Sequence, residues 1–422
     1  MWESGLLEIL KNNLREIARE PIFQHLRKRF AEFLLSRLTQ GDAERAHVML
    51  RAPPQARAVS NSIDTALDSQ NEASLISGDL AALAEVAALT ADHELRLQAE
   101  LERDSVLNEE ILKVSSGLRL PHEIERDSVI RGPRIVRSTA TLMDPTLLNE
   151  IVDRPHSCAR GTLSTVKLAR TAIEILGRVI RRYAEHRDHG FHATIVEEIL
   201  RTLYLANAGK LVWDLIKRDT AGAFGDDPQL YGGTALLHHL MRRFRDGSVS
   251  RFTLVGHSTG AIFISEFLDK AREVLPSERF GVVFLAPAST LDKTWQTLEE
   301  HRERISGFRM FSMSDENERA DCLIPVVYPY SLLYFVSGVL EEEADEPILG
   351  MQCFLDGQRY PAASFPTLEQ FRSFLLHNDG HAVWSVSDLA PTGFRSEARG
   401  HVEFDRDDAT MESVAWILAH GF

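Results

Sequence analysis

"RFTLVGHSTGAIF", residues 251–263, is the stretch on which the reading of the whole chain turns. Phe252, Leu254 and Val255 form a short apolar run of strand character, and Ile262, Ile264, Phe267 and Leu268 then recur at helical intervals. Between them stands Gly256-His257-Ser258-Thr259-Gly260. A serine on a sharp strand-to-helix turn is presented for attack, while the N–H groups at the helix start face developing negative charge. Ser258 is therefore the candidate nucleophile, and the N–H of Thr259 is a candidate oxyanion donor. Glycines on both sides are expected to leave room for the turn. His257 is expected to point away from the serine and to be structural.

A nucleophilic serine needs a base, and the base needs an orienting acid. On an elbow of this kind the acid and then the histidine follow the serine along the chain. Asp315, closing "FRMFSMSD" at 308–315, is the first candidate acid, and Asp321 is the alternative among its carboxylate neighbours. The base belongs between the last strand and the last helix, which selects His401 in "ARGHVEFDRDDATM", 398–411. His381 in "LLHNDGHAV", 375–383, precedes the expected last strand and is the alternate.

The bulk numbers narrow the function class. With 47 basic against 62 acidic residues the 422-residue chain carries a formal charge of -15, the wrong sign for a nucleic-acid partner. Cys158, Cys322 and Cys353 form neither a disulfide framework nor a zinc-ligand pattern, so a reducing cytoplasmic setting is expected. Glu3, Glu8, Lys11 and Arg15 interrupt any apolar leader. The uncharged stretch 322–340 is long enough to span a bilayer as a helix. Pro325, Pro329 and Gly338 break it, so a buried loop leading into a core helix is expected there, and membrane attachment is not. No cofactor motif is present, and nothing in the sequence sets an oligomeric state.

Helical periodicity fills most of the first half. Leu6, Leu10, Leu14 and Ile17, then Phe23, Leu26 and Phe30 after Pro21, predict two helices. Residues 52–78 read as a polar connector, 79–113 as helical, 116–162 as broken, and 163–186 as one long helix. Thr194 followed by Glu197 predicts a capping box before "IVEEILRTLYLA", 195–206, with Glu197 and Arg201 as an ion pair. On that basis Asp188, His189, Glu197 and Glu198 read as packing rather than as metal ligands. From residue 250 onward, short β-branched and aromatic runs alternate with helical ones, closing on a helix that carries Met411, Val414, Ile417 and Leu418. That alternation predicts an α/β fold with a parallel sheet covered by helices.

The chain resembles a bacterial α/β-hydrolase family with a large helical insertion. The resemblance is carried by "MWESGLLEIL", "RDHG", "TIVEEILR", "LVWDLIKRDTAGAF", "LVGHSTGAI", "FLAPAS", "SDENERAD", "YSLLYFVSG" and "HVEFDRDDATM". It implies a hydrolase core over 206–422 and a mainly helical region over 1–205 serving as a lid. It also implies Ser258 as nucleophile, Asp315 or Asp321 as acid, His401 as base, and an ester, thioester or lipid-like acyl substrate. Two departures from the family pattern stand out: a His-Gly-Gly turn with its preceding strands is missing before Trp2, and the histidine loop reads His-Val-Glu where glycine is expected after the histidine. If Met1 is the true start, Thr259 is the one remaining oxyanion donor, and losing the second costs about 3 kcal/mol of transition-state stabilisation. A catalytically impaired interaction module is then the competing expectation.

Overall fold

A computed structural model of the chain describes residues 2–35, 91–117, 141–153, 162–355, 360, 366–377 and 381–422. The connector at 52–78 and the start of the 79–113 segment lie outside these residues, as does much of 116–162. The chain divides into two compact units: Met1–Lys210 with Ile324–Tyr328, and Leu211–Leu323 with Pro329–Phe422. The five-residue excursion of 324–328 into the first unit has no counterpart in the sequence reading.

The first unit is helical: α1 (Trp2–Arg19), α2 (Pro21–Leu35), α3 (Ala91–Arg103), α4 (Ser105–Gly117), α5 (Pro145–Ile151), α6 (Thr165–Ala184) and α7 (Phe191–Leu203). A two-residue antiparallel pair, β1 (Val152–Asp153) with β2 (Thr162–Leu163), joins α5 to α6. Leu168, Ala172, Ile175, Leu176 and Val179 put one buried apolar stripe on α6. Helix α7 is buried nearly all round, taking Glu197 and Glu198 inside with Ile195, Val196 and Ile199.

The second unit is α/β. Helices α8 (Leu211–Gly222) and α9 (Gly232–Arg245) precede a sheet of β3 (Phe252–His257), β4 (Phe280–Leu285), β5 (Ile305–Met313) and β6 (Ala382–Ser385). The strands lie side by side in chain order and every pair is parallel. Helices α10 (Gly260–Val274) and α11 (Leu291–Glu300) make the first two crossovers, and α12 (Asp315–Ala320), the short α13 (Leu332–Phe335) and α14 (Pro366–His377) lie between β5 and β6. Helix α15 (Asp408–His420) closes the chain. Side chains alternate across the sheet as the pleat requires. On one side Phe280 meets Phe267 of α10 and Phe284 meets Phe308, while on the other Val283, Leu285, Phe311 and Val383 pack with Val414 and Ile417 of α15.

The 322–340 segment is not one helix. It bridges back on itself from Ile324 to Tyr328, with Val326 exposed, then forms α13 and a π-turn over Val336–Leu340, buried from Leu333 onward. Among the described residues, no helix is long and apolar enough to cross a membrane.

At the elbow, β3 and α10 approach closely. A Cβ on Gly256 would lie 2.8 Å from the Gly260 backbone and from Cδ1 of Ile264, whereas one on Gly260 would meet nothing within 4 Å. The expectation that both glycines are needed for room thus holds for Gly256 only, because the space beside Gly260 is open. Gly256→Ala should lower stability by about 1–3 kcal/mol through overpacking. Gly260→Ala should be neutral or stabilising by up to about 1 kcal/mol as a helix-favouring change. Thermal denaturation of the two variants checks this, and equal losses would contradict the packing described.

Candidate active site

Strand β3 ends at His257, and Ser258 turns sharply with φ at 54°. A non-glycine residue in that region is strained and must be held by its surroundings. Here the Ser258 amide donates to the Leu285 carbonyl at 2.9 Å, and its own carbonyl accepts from Ala288 at 3.0 Å. The end of β4 thus clamps the bend on both sides. Thr259 follows as the N-cap of α10, with φ -63° and ψ -12°, so its amide lies at the helix N-terminus.

His401 arrives from the far side of the sheet. After β6 the chain runs without strand or helix to a three-residue 3-10 turn over His401–Glu403, whose Glu403 carboxylate accepts from the amides of Arg399 and Gly400. The His401 ring is buried, and its Nε2 lies 2.9 Å from Ser258 Oγ. Ser258 and His401, singled out 143 positions apart in the sequence, are thus in hydrogen-bond contact. Burial, and after it the neighbouring His257, push the His401 imidazole down to about 3. The ring is therefore neutral near pH 7, with Nε2 able to accept the serine proton. Its Nδ1 is buried without a hydrogen-bond partner.

The two candidate acids sit at opposite ends of α12. Asp315, the first choice from sequence, is engaged elsewhere: Oδ2 accepts from Arg319 Nε at 2.9 Å and Oδ1 from the Tyr334 hydroxyl at 2.6 Å. The Arg319 guanidinium lies over the rings of Tyr330 and Tyr334, which locks that pairing. Both oxygens of Asp315 are thus engaged in contacts away from His401. Asp321, the alternative, is the C-cap residue, six positions or about 9 Å of helix rise further on. Its Oδ2 accepts from the backbone N–H of His401 at 2.8 Å. Glu318, buried between them, is pushed well above the usual carboxylate range by burial, and its hydrogen bond with Ser331 only partly opposes that shift.

His381, the alternate base, stands just before β6, three strands from β3. Its Nδ1 accompanies the Phe374 carbonyl at 3.2 Å, and its ring packs on Phe308 and Phe374. Its contacts are with that aromatic group and not with the serine. His257 does point away from Ser258, but its Nε2 donates to the His401 carbonyl at 2.9 Å. The sequence reading missed that contact, because no local pattern predicts which loop a strand-end side chain will meet.

The polar cluster of the first unit is a buried network. Glu197 takes Arg182 at 2.8 Å, His189 at 2.9 Å and the Tyr328 hydroxyl at 2.5 Å, all buried. The expected capping box is absent. Helix α7 starts at Phe191 with Gly190 as N-cap, and Thr194 lies inside the helix, its hydroxyl accepting from the His189 amide. Burial alone would raise Glu197, but the charges of His189 and Arg182 outweigh it and bring the carboxyl down to about 2. One cluster among the described residues has metal-ligand composition, Asp269, Glu300 and His301. There His301 Nε2 pairs with Asp269 at 2.8 Å while Arg304 Nη1 lies 3.4 Å from Nδ1, so the ring has no lone pair turned toward a cation.

Comparison with protein-family models, with curated proteins and with solved structures found no match to this chain.

The buried histidines make stability depend on pH. His192, in the first unit, is also pushed down to about 3, by burial and then by Arg27. In the unfolded chain both histidines return to the ordinary value of 6.5, so unfolding takes up protons below that pH. The stability present above pH 6.5 should be lost progressively as the pH falls from 6.5 toward 3. Urea unfolding at a series of pH values reads this out. A midpoint that stays constant or rises on acidification would contradict the lowered values of the two rings.

Proposed function

We propose that the chain is a serine hydrolase built on an α/β-hydrolase core and acting on an ester, thioester or lipid-like acyl group. The observation that carries this reading is the 2.9 Å contact between Ser258 Oγ, on its positive-φ elbow, and Nε2 of the buried His401. The order of strand, elbow and helix, with acid and base on later strand ends, supports the same reading. In the proposed reaction Ser258 Oγ bonds to the acyl carbonyl carbon as its proton passes to His401 Nε2. The oxyanion is stabilised by the Thr259 amide at the α10 N-terminus. Collapse expels the leaving group, which takes the proton from His401, and water then hydrolyses the acyl-enzyme by the same route. Asp321 is the proposed acid. Its Oδ2 already accepts from the His401 amide, which keeps the carboxylate beside the residue whose Nδ1 has no partner of its own.

That unpartnered Nδ1 also favours a second reading, an impaired hydrolase-fold protein kept for binding, because an imidazolium formed without its acid is poorly stabilised. A fluorophosphonate probe separates the two. The folded chain should be modified at Ser258 and the Ser258→Ala variant not at all. His401→Ala should react at least about 100-fold more slowly, and Asp321→Asn about 100- to 10,000-fold more slowly. Asp315→Asn should label at a rate within a few-fold of the native chain while losing thermal stability with its Arg319 pair. A folded chain that never labels supports the binder, and a larger loss from Asp315→Asn than from Asp321→Asn would reverse the choice of acid.

A further inference from the structure

We infer that His257, the residue before the proposed nucleophile, is a positioning residue that holds the backbone of His401 so that its imidazole meets Ser258. The inference rests on the hydrolase reading above. It begins from the way His401 is held. Its N–H donates to Asp321 Oδ2 at 2.8 Å, its carbonyl accepts from His257 Nε2 at 2.9 Å, and its ring Nε2 meets Ser258 Oγ at 2.9 Å. Two of the three attachments come from consecutive residues, so the end of β3 grips both the backbone and the side chain of the base.

The grip matters because of where His401 sits. It opens a 3-10 turn of only three residues, and no strand or helix lies between β6 and that turn. No sheet ladder sets its position to a fraction of an ångström, yet proton transfer needs the heavy atoms within about 2.6–3.2 Å. A carbonyl oxygen can only accept, so the bond also fixes His257 with its proton on Nε2. The two imidazoles lie with ring centres 5.3 Å apart and planes at 30°.

The test compares His257→Phe, which fills the space without a donor, with His257→Gln, whose amide nitrogen reaches about as far as Nε2 and donates without titrating. Fluorophosphonate labelling gives the limiting inactivation rate separately from the apparent binding constant of the probe. His257→Phe should lower the limiting rate about tenfold, the scale of one lost hydrogen bond, with the binding constant unchanged within about twofold. His257→Gln should stay within about threefold of the native rate. Histidine nitrogen spectra of the Ser258→Ala chain should show His257 with its proton on Nε2, whether or not the Phe variant folds. Equal limiting rates for native and Phe chains, failure of Gln to restore the rate in a folded variant, or a proton on Nδ1 would each overturn the inference while leaving the hydrolase reading intact. Absence of labelling in the native chain would remove both.

Discussion

The arrangement around Ser258 depends on one constraint: four strands that run parallel and in register bring their carboxyl ends to one rim of the sheet. Successive pairings put His257, Leu285, Phe311 and Val383 on one row. Every connection leaving that rim can therefore contribute to a common site, as in open α/β sheets generally. The end of β3 supplies the serine, the turn beyond β5 supplies Asp321, and the loop beyond β6 supplies His401. An antiparallel pairing anywhere in the sheet would send one of these to the opposite rim.

Two buried polar clusters in the chain illustrate different uses of the same chemistry. Around Glu197, Arg182, His189 and the Tyr328 hydroxyl all engage the carboxylate, and the last of these ties the segment 324–328 into the helical unit. Such a network is retained as a unit, because removing one member leaves an uncompensated charge in a low-dielectric interior. Around His401 the accounts do not balance: Nε2 has the serine, but Nδ1 has no partner. An orphaned buried donor is uncommon in folded proteins and marks a place where geometry serves something other than stability. Burial of the neutral ring costs stability on acidification, and the elbow adds the strain of a positive φ.

The elements that were legible in the sequence are those whose pattern is local. The helix from Thr165 to Ala184 announces itself by its apolar stripe, and the strands from β3 to β6 by their short β-branched and aromatic runs. The start of α7 was misread, because Thr194 and Glu197 have the spacing of a capping box but are drawn into contacts with His189, Arg182 and Tyr328 that local spacing cannot reveal. The division of labour between Asp315 and Asp321 was equally hidden. Both follow β5, and only the packing of Arg319 between two tyrosines and Asp315 shows what holds Asp315.

The sequence by itself determined the α/β alternation, the strand-serine-helix elbow and the pairing of Ser258 with a late histidine, since each follows from short-range periodicity, glycine spacing and chain order. Only the tertiary structure decided that Asp321 rather than Asp315 reaches the His401 amide, that His257 bonds the His401 carbonyl, and that residues 324–328 belong with the helical unit. Those outcomes rest on contacts between residues dozens to hundreds of positions apart. Their energies depend on burial and on competition among neighbours, neither of which is written into any one stretch of the chain.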